Sequence, residues 1–125
     1  MRLEMITVYY DGKCNICSKE ISYYKSISNK EHFNWYDIAN NPKYLKTINV
    51  TQSEALMQLH ATDQNSQLHV GVDAFILIWK NLRFWKILSI IISLPIIKQI
   101  SILAYKKFAK YRFSKLTHCQ LSLKN

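Results

Sequence analysis

Tyr9-Tyr10-Asp11-Gly12-Lys13-Cys14-Asn15-Ile16-Cys17 joins an apolar run to a helical pattern, and the chain is read outward from it. The preceding residues, Met5-Ile6-Thr7-Val8-Tyr9-Tyr10, are short, β-branched and aromatic, the composition of a buried strand. Asp11-Gly12 breaks that strand, since glycine tolerates the angles of a tight turn. From Cys14 onward Ile16, Cys17, Ile21, Tyr24 and Ile27 recur at helical spacing. Cys14 and Cys17 therefore fall on the first turn of a helix, three apart and on one face. Neighbours at that spacing lie roughly 5–6 Å apart, within reach of a disulfide. The unpaired N–H groups at a helix start favour a thiolate at Cys14 over the deeper Cys17. Cys14 is accordingly expected to be the more acidic and more accessible thiol. Strand, turn, Cys-x-x-Cys and helix make the layout of a dithiol redox site.

Other readings of the pair are weaker. Zinc takes four ligands, usually from a second such pair, and the third cysteine, Cys119 beside His118, is about a hundred residues away. Inert, buried cysteines are a commoner alternative. A permanent structural bridge would close a very short loop and constrain little.

With 125 residues, 49% hydrophobic and only two glycines and two prolines, the chain reads as one folded domain, 1–125. Three cysteines do not make a disulfide scaffold. The N-terminal apolar run is too short for a secretory signal, so a cytoplasmic setting is expected, where dithiols are kept reduced. Charge divides the chain in two. Residues 1–73 carry seven Lys/Arg against eight Asp/Glu, a balance of −1; residues 74–125 carry ten and no acid, +10. Such asymmetry points to a polyanionic surface, lipid or nucleic acid.

Further along, Asn29 and Lys30 end the first helix, and Phe33–Ile38 reads as a second strand. Asn41-Pro42 predicts an N-cap and first position of a short helix. Thr51-Gln52-Ser53-Glu54 fits a capping box, read as a single turn followed by a strand through Thr62. Asp63–Gln67 is a polar turn, and Leu68–Val72 a fourth strand. Matching apolar faces places Met57, Leu59 and Ala61 opposite Val72, Val70 and Leu68, and His60 across from His69. Two histidines without a third ligand are weak grounds for a metal. Asp73 is expected to cap a helix through Leu82, with a second from about Phe84 to Ser93. Pro95 opens a third, burying a stripe of Ile96, Ile100, Leu103, Ala104, Phe108 and Tyr111. The longest uncharged run, Ile87–Ile97, is short of the ~20 residues a membrane span needs.

The expected architecture is α/β, thioredoxin-like: a four-stranded mixed sheet with flanking helices over residues 1–72 and basic helices over 73–115. Tyr10-Asp11-Gly12-x-Cys14-x-x-Cys17 resembles the signature of the DCC family of thiol-disulfide oxidoreductases, named for one Asp and two Cys. Gly71-Val72-Asp73-Ala74-Phe75, and Leu94-Pro95 followed by Tyr105 and Arg112, are similar to it too; the likeness covers residues 5 to about 115. It implies Cys14 as attacking thiolate, Cys17 as resolving thiol and Asp11 as a third site residue, acting on a thiol or disulfide substrate without cofactor or metal. Ordinary thioredoxins face the dithiol with a proline just before the third strand. Pro42 and Pro95 are not placed to serve, so residues near Val50 to Ser53 would offer backbone groups instead, which argues against general protein-disulfide reduction.

Asp11 poses a chemical problem. A fixed anion beside Cys14 raises its pKa and opposes activation. It helps by relaying a proton, or by accepting N–H groups of the turn, and turn-holding is the favoured reading. The alternative function is a non-enzymatic module docking on membrane or partner, with structural or redox-sensing cysteines. The residues Leu82, Phe84, Trp85, Ile87, Leu88, Ile90, Ile91 and Ile92 nearly encircle the middle helix, rimmed by Lys80, Arg83, Lys86 and Lys98. That pattern suits peripheral contact with an anionic inner membrane face. Nucleic acid is disfavoured, because the aromatics sit on apolar stripes rather than a stacking surface. Residues from Thr117 onward, Cys119 included, read as a polar tail that need not pack.

Overall fold

The computed structural model describes residues 6–28, 32–82 and 85–123. The expectations for Met5, Asn29, Lys30, Arg83, Phe84 and Lys124 lie outside them. Strand β1 (Ile6–Tyr10) leads into α1 (Asn15–Ile27), which crosses over to the parallel β2 (Phe33–Asp37). A 3₁₀ helix (Pro42–Thr47) and α2 (Gln52–Met57) follow, then the hairpin β3 (His60–Thr62) and β4 (Leu68–Val70). The chain ends in α3 (Val72–Lys80), α4 (Lys86–Ser93), α5 (Pro95–Lys115) and α6 (Thr117–Ser122). The sheet order is β2-β1-β3-β4, with β3 antiparallel to both neighbours. This is the mixed, thioredoxin-like arrangement expected.

Alternation along β1 sorts the core into two layers. Ile6 and Val8 face one side, packed with Ile21, Tyr24, Phe33, Leu77 and Ile78. Tyr9 faces the other, with Ile38, Leu45, Leu56, Phe113 and Cys119. Aromatic side chains tie α3 and the start of α4 to α1: Trp79 Nε1 donates to the Tyr24 hydroxyl (2.9 Å) and stacks on Trp85.

Several local expectations are corrected. Within α1, Ile16 is exposed; the helix buries Ile21 and Tyr24. Asn41 makes no side-chain cap, and the segment after it is 3₁₀. The Thr51 capping box is present, but it opens a helix through Met57 in place of a single turn, and Ala55 and Leu56 are buried in it. The hairpin register is one residue off the expected one: His60 pairs with Val70, and Ala61 with His69. Turn geometry, not apolar matching, decides it. Asp63 accepts N–H groups of Asn65 and Gln67, and Ser66 takes the left-handed conformation (φ 64°), leaving a tight three-residue tip. His60 and His69 thereby fall on opposite faces of the sheet. His69 instead meets Asp63 (2.9 Å).

Gly71, not Asp73, is the N-cap of α3. Its φ of 65° favours glycine, and a Cβ there would lie 2.4 Å from Gln58 Oε1. Asp73 pairs with Lys98 of α5 (2.8 Å), so Lys98 is not a free rim lysine. The largest correction concerns α5. Its expected core stripe is turned outward: Ile96, Ile100, Leu103, Phe108 and Tyr111 are exposed. The packed face carries Tyr105, Ala109, Arg112 and Phe113 instead. The polar tail forms α6, in which Cys119 is completely buried.

Candidate active site

The turn after β1 is held from both sides. Asp11 Oδ1 accepts the Lys13 N–H (3.0 Å), and the Asp11 carbonyl accepts that of Cys14 (3.3 Å). From the parallel strand, Asp37 Oδ1 accepts the Gly12 N–H (3.0 Å) together with those of Ala39 and Asn40. Any Cβ at Gly12 would lie 1.9 Å from the Asp37 carboxylate, so this close approach requires glycine. Ser18 Oγ closes the turn by donating to the Gly12 carbonyl (2.9 Å).

Cys14 is the N-cap of α1, and its Sγ accepts the Cys17 N–H at 3.3 Å. The helix start thus presents a donor to this sulfur, as the sequence predicts. Accessibility runs the other way from the expectation. Cys14 is only 3% exposed, whereas Cys17 is partly exposed and lines a small cavity of about 60 Å³. Burial pushes the Cys17 thiol far up, and hydrogen bonding to Cys14 adds to this. Both effects keep Cys17 protonated beside Cys14. Asp11, Glu20, Leu56, Tyr105 and Arg112 share the cavity wall. Burial also raises the Glu20 carboxyl. The segment facing Cys17 runs from Ala55 to Leu59 rather than through Val50–Ser53.

Asp11 lies at the centre of a buried polar cluster. Its Oδ2 receives Arg112 Nη1 (3.1 Å), and both carboxylate oxygens lie within 2.9 Å of His118 Nε2. Arg112 reaches in from α5 and also donates to the Leu56 and Met57 carbonyls. Its burial disfavours the charge, but Cys17, Cys14, Asp11 and Cys119 around it favour the charge by more. At Cys17 the Arg112 charge lowers the pKa by more than Asp11 raises it. The conflict posed by a carboxylate next to a reactive thiol is resolved in this pairing: Arg112 neutralises Asp11 and leaves the turn intact.

Cys119 completes the cluster, with Sγ 3.8 Å from Asp11 Oδ2 and 3.7 Å from His118 Nε2. Burial pushes its thiol up to about 11, which keeps it protonated at neutral pH. Asp11, His118 and Cys119 bring three potential metal-ligating atoms within 4.8 Å of one another. The guanidinium on Asp11 Oδ2 already supplies positive charge there, so the cluster suits an internal ion pair better than a divalent cation.

Sequence reasoning therefore located Asp11, Cys14 and Cys17 together, and named Arg112 and Tyr105 as part of the family resemblance without placing them in the site. Tyr105 accepts the Leu59 N–H on its hydroxyl (2.9 Å), fixing the start of β3. His118, Cys119, Asp37 and Glu20 were missed. For α6 the available signal was Leu116, Cys119 and Ser122 at helical spacing after Lys115, which is easily read as tail in so short a segment.

The family model for DCC1-like thiol-disulfide oxidoreductases matches residues 8–117. No curated protein and no solved structure gives a significant match.

Proposed function

Since the chain belongs to the DCC1-like thiol-disulfide oxidoreductase family, we propose that it exchanges its dithiol with a thiol or disulfide substrate, Cys14 attacking and Cys17 resolving. One observation carries the assignment: Cys14 sits at the N-cap of α1 and receives the Cys17 N–H, while Cys17 is kept protonated by burial. In the reducing direction the Cys14 thiolate attacks one sulfur of a substrate disulfide, forming a mixed disulfide and releasing a thiolate. Cys17 then attacks the Cys14 sulfur, giving its proton to the second departing thiolate. The substrate disulfide gains two electrons and the Cys14–Cys17 pair loses them. The reverse sequence oxidises a dithiol.

Asp11 acts in this scheme by position. It holds the turn and anchors Arg112, which shares the cavity wall with Cys17. Because Cys14 is shielded, reaction requires a local opening at the cavity beside Cys17. A cytoplasmic setting, where both thiols start reduced, goes with this reading.

Trapping tests it. A Cys17→Ser variant treated with oxidised glutathione is expected to accumulate a stable adduct on Cys14, located by peptide mass spectrometry. Wild-type protein should instead resolve to a Cys14–Cys17 disulfide. An adduct found only on Cys119, or none on Cys14, would overturn the roles. The same variant expressed in cells would capture the substrate as a mixed disulfide.

A further inference from the structure

We propose that the outer surface of α4 and of the N-terminal half of α5 docks on an anionic lipid bilayer. The proposal does not depend on the dithiol chemistry. Ile87, Ile90, Leu94, Ile96, Ile100 and Leu103 are all exposed, from 49% at Leu94 to 77% at Ile96. They lie on two helices that meet at 95° across Leu94-Pro95. Among the described residues no single helix is long and apolar enough to cross a membrane. An accumulation of exposed aliphatic side chains of this kind is rarely left to water and marks an interaction site.

Charge identifies the occupant. Residues 100, 103, 107 and 110 share one face of α5 by helical spacing, so the face that is apolar at Ile100 and Leu103 becomes basic at Lys107 and Lys110. Both lysines are exposed. The change runs along the helix rather than around it. No acidic residue occurs from Ala74 to Asn125, and among the described residues the two acids that α5 meets in ion pairs, Asp73 and Asp11, take Lys98 and Arg112 rather than Lys107 or Lys110. A second copy seated face to face, its own α4 and α5 turned to this surface, would bring no carboxylates from those helices to these lysines. Nucleic acid would satisfy the lysines but leave the isoleucines in water. An anionic bilayer takes both, apolar side chains below the headgroups and lysines among them.

Behind α4 and α5 lies a mostly apolar cavity, larger than the one beside Cys17 and lined by Trp79, Ile92, Ser101 and Ala104. Both cavities have Glu20, Phe75 and Tyr105 in their walls. Helix α5 thus carries the lipid-facing surface on one side and part of the dithiol pocket on the other.

Co-sedimentation of the full chain with vesicles of phosphatidylcholine, with and without phosphatidylglycerol, tests the proposal. Binding is expected with phosphatidylglycerol at low ionic strength and should weaken as salt is added, a result that needs no variant. Replacing Lys107 and Lys110 together by Glu should lower partitioning at least about tenfold. An Ile87→Ser/Ile90→Ser pair should weaken it at every salt concentration. Absence of binding to the anionic vesicles at low salt would overturn the proposal. So would binding unchanged by both pairs, or a concentration-dependent dimer that the isoleucine pair dissociates.

Discussion

The two halves of α5 invert the usual distribution of residues in opposite senses. Toward its C-terminus the helix buries an arginine, which together with Asp11, His118 and Cys119 forms a closed polar cluster. Toward its N-terminus it turns Ile96, Ile100 and Leu103 to solvent. Charged residues are seldom buried unless paired, and large apolar groups are seldom clustered outside. The first half-helix is over-satisfied internally and the second is unsatisfied. A polar cluster with every group partnered holds a reactive site in place, whereas an apolar face with none invites a partner from outside.

Mutations at the two ends must therefore differ sharply in cost. Arg112→Ala would strand the Asp11 carboxylate, whose side chain is 3% exposed, without its cation. The expected loss is about 3–5 kcal/mol of stability, the usual range for removing one member of a buried pair. Ile100→Ser on the outer face should change stability by no more than about 0.5 kcal/mol. Urea unfolding of the two variants compares them directly. Equal losses would mean that the outer face is packed or that the ion pair is solvated, and the contrast would fail.

A smaller effect distinguishes the site turn from the rest of the cluster. Gly12→Ala places a methyl group against the Asp37 carboxylate. Overpacking of this kind costs about 1–3 kcal/mol. Stability should fall by that amount, and the Cys17→Ser trap at Cys14 should slow because the N-cap geometry is disturbed. Unchanged stability with unchanged trapping would show that the Asp37 clamp is dispensable.

The limits of the sequence reading follow the same division. The strand, turn and Cys-x-x-Cys helix were legible because each depends on neighbours within a few residues: β-branched run, Asp-Gly break, helical period. The hairpin register was not, because it is set by the left-handed Ser66 and the Asp63 side chain, and apolar matching gave the face one residue out. The α5 stripe was misread for a deeper reason. Periodicity shows that one face is apolar, but not that the face is covered, and here the buried face is the one carrying Tyr105 and Arg112. The Arg112–Asp11 pair joins residues 101 positions apart, a separation that spacing arguments cannot bridge. His118 and Cys119 lie on a helix of six residues, where three positions at helical spacing do not stand out from a tail.

His60 offers the finest comparison, between a buried imidazole bonded to backbone and a partly exposed one, His118, that meets a carboxylate. His118 meets both Asp11 oxygens. His60 is 4% exposed, and its Nδ1 meets only the Gln58 carbonyl at 2.8 Å. Burial lowers the His60 pKa below its ordinary 6.5, against smaller opposing effects of that carbonyl and of Glu54. The unfolded chain therefore binds the proton more readily than the folded one. Stability contributed by neutral His60 is fully present above about pH 6.5 and declines as pH falls from there toward the lower folded value. The slope from one such group cannot exceed about 1.4 kcal/mol per pH unit. Asp63, whose pKa is lowered mainly by its bond to His69, loses its contribution only as pH falls below its ordinary 3.8, so the two windows separate. Urea midpoints measured between pH 7 and 5 should fall for the wild type and fall less for His60→Leu. Parallel curves would mean that His60 becomes charged in place without cost, and that backbone alone holds a buried imidazole as well as a carboxylate does.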